Sequence, residues 1–240
     1  MVNKRQYVIY LSLLLSLISI TVVIGGGGKN SESNKWKGLS AVAFGTSLTS
    51  RSRPDDTGGY LRYLPELSGM KIENSGVGSG ALFTEKSGLN ILNQVKSHDY
   101  DDIDVVLIEG FVNDWYYNEN LGTYLDTDVT TVCGVLRTAI NYILEINPAI
   151  TVIVIFDPIG TQETSELSLK CGRSQYDYYE ELAKVAGSMG IPVVKLYSIG
   201  NMNSRTPQYF IDNIHPTELG AKQTANMIWK ELQKYEPKIN

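Results

Sequence analysis

From Leu39 onward the chain alternates short apolar runs with amphipathic stretches, and that alternation restricts its fold more than any other feature. The runs Ser40–Phe44, Lys71–Glu73, Val105–Ile108, Thr151–Phe156 and Pro192–Leu196 are brief, rich in Val and Ile, and bounded by Gly, Asn, Asp or Pro, as strands are. Between them the spacing predicts helices. One sets Val129, Val132, Leu136, Ile140 and Ile143 on a single face and is ended by Pro148. A second sets Leu182, Val185, Ala186 and Met189 before Gly190. The last starts near Thr217 and turns Ala221, Ala225, Ile228 and Leu232 inward. Strands and helices in this order build a parallel sheet covered on both faces. No internal repeat and no second domain interrupt the pattern.

The segment before Leu39 is of another kind. Lys4 and Arg5 precede an uncharged run from Tyr7 to Ile24, rich in Leu, Ile and Val, and Gly25 to Gly28 follow it. As a helix the run would be roughly 27 Å long, close to the hydrocarbon thickness of a bilayer. No Ala-x-Ala cleavage site stands out, and no cysteine follows that could carry a lipid. Residues 1–28 therefore fit a cleaved signal peptide in part and a retained membrane anchor in part. Residues 29–37 read as a linker and 38–240 as one domain. Either way, positive charge ahead of the run leaves that domain outside the cytoplasm, secreted or tethered. Cys133 and Cys171 could pair in an oxidising compartment, but Cys133 equally fits the apolar stripe of a helix. Two cysteines and two histidines without ligand spacing are poor material for a metal site. A net charge of -5 without a basic run argues against nucleic acid.

In open parallel sheets, ligands sit at the carboxyl ends of the strands. The residues best suited to chemistry fall there. Ser47 lies in Phe44-Gly45-Thr46-Ser47-Leu48-Thr49, the turn after the first strand. Asn74-Ser75-Gly76-Val77-Gly78-Ser79-Gly80 follows the second, and Gly110-Phe111-Val112-Asn113-Asp114 the third. Asp212-Asn213-Ile214-His215-Pro216 precedes the last helix. Each piece alone is a common turn or cap. Together they supply what ester cleavage requires: a nucleophile, a base, a group to orient the base, and donors for an oxyanion. Ser47 can attack a carbonyl and His215 can take its proton. Asp212, three residues earlier, can fix the imidazole tautomer. His98, the other histidine, falls at the far end of a helix, away from this edge. The oxyanion donors would be the Ser47 N–H, a glycine-loop N–H and the Asn113 side chain.

These four segments, in this order, resemble the blocks of the SGNH/GDSL hydrolases: a Gly-Asp-Ser-Leu nucleophile block, a glycine block, Gly-x-Asn-Asp, and Asp-x-x-His-Pro. The resemblance spans roughly residues 38 to 235. It implies a flavodoxin-like three-layer α/β/α sandwich with a central parallel sheet of about five strands, a Ser–His–Asp triad and no cofactor. Thr46 departs from the family by standing where it has Asp. In the glycine block Ser79 falls at the expected oxyanion glycine, flanked by Gly78 and Gly80, and Gly78 is taken as the donor.

The function expected is a serine esterase cleaving a short, O-acetyl-like acyl ester, with a small molecule or a glycan as substrate. An acyltransferase with the same triad, or a non-catalytic surface binding protein, would share these residues. Trp115, Tyr116, Tyr117 and Tyr124 could stack on sugar rings or pack the loop beneath them, and the polar stretch Thr161–Ser174 is a second candidate wall of the site.

Overall fold

The computed structural model describes residues 34–50, 59–83, 90–160, 172–203, 205–212 and 214–238. The expected signal or anchor at 1–28, Cys171 and most of the Thr161–Ser174 stretch lie outside them. Five strands follow in chain order: β1 (Ser40–Gly45), β2 (Lys71–Gly76), β3 (Val105–Gly110), β4 (Thr151–Phe156) and β5 (Val193–Lys195). All pair in parallel, in the order β2-β1-β3-β4-β5. This is the flavodoxin-like order, and it reverses between β1 and β3, where such folds open a crevice above the sheet.

The helices are α1 (Leu64–Ser68), α2 (Ile91–Ser97), α3 (Val112–Tyr116), α4 (Val132–Ile146), α5 (Gln175–Ser188) and α6 (Glu218–Leu232). Because successive strand residues point to opposite faces, the sheet feeds two cores. Val42, Phe44, Val106, Ile108, Val152 and Val154 pack with α2, α4 and α5. Ala41, Ala43, Val105, Leu107, Ile153 and Ile155 pack with α1 and α6. Covered on both sides, β3 and β4 are buried at every position. Side-chain caps set the helix starts: Thr131, Ser174 and Thr217 accept the N–H of Gly134, Asp177 and Gly220. Each such cap contributes about 1 kcal/mol.

Several boundaries differ from the sequence pattern. β2 and β3 run on through Asn74–Gly76 and Glu109–Gly110, whose partners on the neighbouring strands continue the ladder. Backbone pairing carries these polar residues, and hydrophobicity does not mark them. Val129 is not on the helix face; α4 starts at its Thr131 cap, and Val129 lies ahead of it, 47% exposed. Cys133 is a free thiol buried in α4, and burial pushes its pKa up to about 12. Among the described residues no helix is long and apolar enough to cross a membrane.

Candidate active site

After β1 the chain turns tightly, with the N–H groups of Thr49 and Ser50 both donating to Thr46 O. Ser47 projects from this turn. Its Oγ lies 2.9 Å from His215 Nε2, across 168 residues of sequence.

His215 is held by its own loop. The Ile211 N–H donates to His215 O, and the Thr217 N–H and hydroxyl reach back to Tyr209 O and Gln208 O. Gly220 permits this closure, because a Cβ there would meet Tyr209 O at 2.1 Å. Within the loop Asp212 accepts the N–H of Ile214 (2.9 Å) and of His215 (2.7 Å), an Asx-type turn. The same carboxylate meets His215 Nδ1 at 2.8 Å. Partial burial works against its charge, but the two backbone donors and the imidazole outweigh that and hold Asp212 well below the usual carboxylate range. An ionised carboxylate only accepts. Nδ1 therefore carries the proton, and Nε2 offers a lone pair to the Ser47 hydroxyl.

The other wall comes from β2 and β3. The Gly80 N–H closes a turn on Val77 O. The N–H groups of Ser47, Gly78 and Ser79 make no hydrogen bond among the described residues. The Asn113 amide, at the start of α3, donates to Gly80 O at 2.7 Å and so ties the two loops together. Asp114 is fully buried and accepts the N–H of Leu82 and Phe83, both at 3.0 Å. Burial raises its pKa to about 6 against the pull of those donors.

One block match needs correcting. Counted back from Asn113-Asp114, the glycine of Gly-x-Asn-Asp falls on Phe111, not Gly110. Phe111 takes the left-handed conformation that glycine would, φ 85°, with its ring buried against Phe156 at 4.9 Å. Ser79, at the other glycine departure, is also left-handed, φ 60°. Such backbone costs about 1–3 kcal/mol per residue and persists only where packing enforces it.

The segments singled out in the sequence thus converge on one edge: Ser47, His215 and Asp212 in a hydrogen-bonded line, Asn113 and the glycine loop beside it. The model of the GDSL-like Lipase/Acylhydrolase family matches residues 43–223. The chain belongs to this family. Among solved structures, a protein from Lactobacillus plantarum is 21% identical with a TM-score of 0.73, covering 83% of this chain and 98% of its own. One from Chitinophaga pinensis, described as a possible lipase, is 21% identical at TM-score 0.64, covering 82% and 98%. A catalytic mutant of an acetylxylan esterase from Geobacillus stearothermophilus is 17% identical at TM-score 0.54, covering 85% and 98%. At these identities the likeness is one of fold. No curated protein matches the sequence.

In this GDSL-family hydrolase other candidates fall away from the line. Trp115 is fully buried and donates to Arg173 O, so it is no platform for a sugar. Tyr116 and Tyr124 are exposed, and Tyr117 lies half-buried against Tyr116. His98 packs edge-on against Phe44 and Tyr100. Among the described residues no group of three His, Cys, Asp or Glu could hold a metal ion. Sequence reading missed Glu109, which lies buried in β3 beneath the nucleophile turn. An acidic residue inside an otherwise apolar strand was the available signal.

Proposed function

We propose that this GDSL-family hydrolase is a serine esterase acting through Ser47, His215 and Asp212. The observation that carries the reading is the unbroken line from Ser47 Oγ to His215 Nε2 and from Nδ1 to Asp212, at 2.9 and 2.8 Å. Ser47 Oγ attacks the ester carbonyl carbon as its proton passes to Nε2, and the carbonyl π electrons move onto oxygen. The Ser47 N–H, the free glycine-loop N–H groups of Gly78 and Ser79, and the second amide hydrogen of Asn113 are the donors available to that oxyanion. Its collapse expels the alcohol, which takes the Nε2 proton. Water then repeats the sequence on the acyl-serine. Asp212 stabilises the imidazolium and keeps the tautomer.

A short acyl group fits the surroundings. A small and largely apolar crevice, lined by Leu48, Tyr60, Asp157, Pro158, Phe210 and Ile214, adjoins the nucleophile turn at Leu48 and the His215 loop at Ile214. The acetylxylan esterase among the structural relatives, with the exposed Tyr116 one turn beyond Asn113 on α3, favours an acetylated glycan as substrate. The basic flank and apolar run at the N-terminus favour an extracytoplasmic site of action.

Ser47→Ala should abolish hydrolysis of a short nitrophenyl ester and labelling by a fluorophosphonate probe. Turnover or labelling that persists at the wild-type rate would remove Ser47 from its role. Release of product that depends on an added sugar acceptor would instead identify an acyltransferase.

A further inference from the structure

Next to the nucleophile turn lie two carboxyl groups to which the Ser47–His215–Asp212 line assigns no role, one of which, Asp157, also borders the crevice. Glu109 is on β3, and Asp157 immediately follows β4; both are buried. Glu109 Oε2 accepts the Thr46 N–H at 3.0 Å and the Thr49 hydroxyl at 2.5 Å, and Oε1 accepts the Thr46 hydroxyl at 3.0 Å. The Thr49 hydroxyl also meets the Tyr60 hydroxyl at 3.1 Å. Gly45 makes room, since a Cβ there would sit 2.4 Å from Glu109 Oε2. Residues on both sides of Ser47 are thereby fastened to one side chain.

Asp157 has the opposite environment. Its Oδ2 finds no donor among the described residues, while its carboxyl lies within hydrogen-bonding reach of Glu109. Two buried carboxylates in contact repel strongly, and an unpaired buried acceptor is costly. One proton held between them removes both difficulties. Because Glu109 already receives three donors, Asp157 is the better placed of the two to hold that proton and donate it to Glu109. The other groups facing the pair are Thr46 and Thr49 from the turn, Tyr60, and Tyr179 from α5; none is cationic. Burial, and then the Glu109 charge, push the Asp157 carboxyl well above the usual range.

We propose that Glu109, bound to the protonated carboxyl of Asp157, is a positioning residue that holds the Thr46–Thr49 turn and so keeps the Ser47 hydroxyl and N–H in line with His215. The proposal rests on Ser47 as nucleophile. It implies a failure mode of its own: loss of the shared proton at alkaline pH leaves two facing carboxylates, and the turn loosens.

The test is a pH profile of kcat on a short nitrophenyl ester, with Ser47→Ala run in parallel. Wild type should lose activity on the alkaline side while still folded by near-UV circular dichroism. Asp157→Asn, whose amide donates to Glu109 but cannot ionise, should shift that limb upward by about one pH unit or more, or remove it. Glu109→Gln should lower kcat about tenfold or more with KM within about twofold, the pattern of a misplaced nucleophile. An infrared spectrum of wild type near pH 8, where ordinary carboxyls are ionised, should keep a protonated-carboxyl band that disappears with the alkaline limb. That measurement decides the matter even if a variant does not fold. An unshifted limb in Asp157→Asn, wild-type kcat in Glu109→Gln, or absence of the band overturns the proposal. Inert Ser47→Ala alongside those results would leave the esterase reading standing, whereas active Ser47→Ala would overturn both.

Discussion

Asp114 and Asp212 are neighbours of the same site, yet their environments pull their charges in opposite directions. Asp212 is held low by backbone donors and by His215. Its contribution to stability is present above the ordinary carboxylate pKa and is lost as pH falls below it. Asp114 is raised by burial to about 6. Its folded form binds a proton more tightly than its unfolded form, so stability falls as pH rises from roughly 4 to 6. Denaturant midpoints measured across that window should decline in wild type. The decline should be smaller in Asp114→Asn, which cannot titrate. Asp114→Ala should cost about 2 kcal/mol or more at any pH, because it leaves the Leu82 and Phe83 N–H groups unpaired. A midpoint shift of less than half that would mean another acceptor replaces the carboxylate.

At the scale of elements, the site depends on how α6 begins. Thr217 caps the helix, its backbone and hydroxyl fasten Tyr209 and Gln208, and Gly220 sits against Tyr209 O. The Cβ of Gly220→Ala would lie 2.1 Å from the Tyr209 backbone oxygen, which already accepts the Thr217 N–H. It should displace the Ile211–His215 turn and lower kcat about a hundredfold while the rest of the fold remains, as misplacement by an ångström can do. Thr217→Ala should cost about 1 kcal/mol of stability with a smaller effect on kcat. Equal losses of kcat in the two variants would show that the cap, not the close approach, places His215. Both are read by steady-state kinetics beside thermal melting.

At the scale of the whole molecule, the residues from Asn34 to Asn240 form one compact unit. That portion, expressed alone, should unfold in a single cooperative transition and retain the esterase activity. The crevice between Leu48 and Ile214 is small, so with the acyl group seated there kcat/KM should fall about tenfold or more from acetyl to octanoyl nitrophenyl esters. A preference for the longer chain would place the acyl group elsewhere than against Leu48 and Ile214.

The architecture was legible in the sequence because strand–helix alternation and hydrophobic period report burial directly. Val106 and Ile153 are buried because β-strands between two helical layers have no exposed face. The nearness of Ser47, Asn113, Asp212 and His215 could be foreseen for the same reason, since strand ends in a parallel sheet share an edge. What only the tertiary structure decided depends on contacts between segments distant in sequence. The left-handed Phe111 is enforced by its packing on Phe156. Trp115 disappears into the core through Arg173. Glu109 gains its place beneath Thr46 and Thr49 only once β1 and β3 lie side by side. Periodicity records which face a residue turns to, but a hydrogen-bond partner many residues away leaves no periodic trace. Ser47 was therefore readable as a candidate nucleophile, while the side chains that hold its turn in place were not.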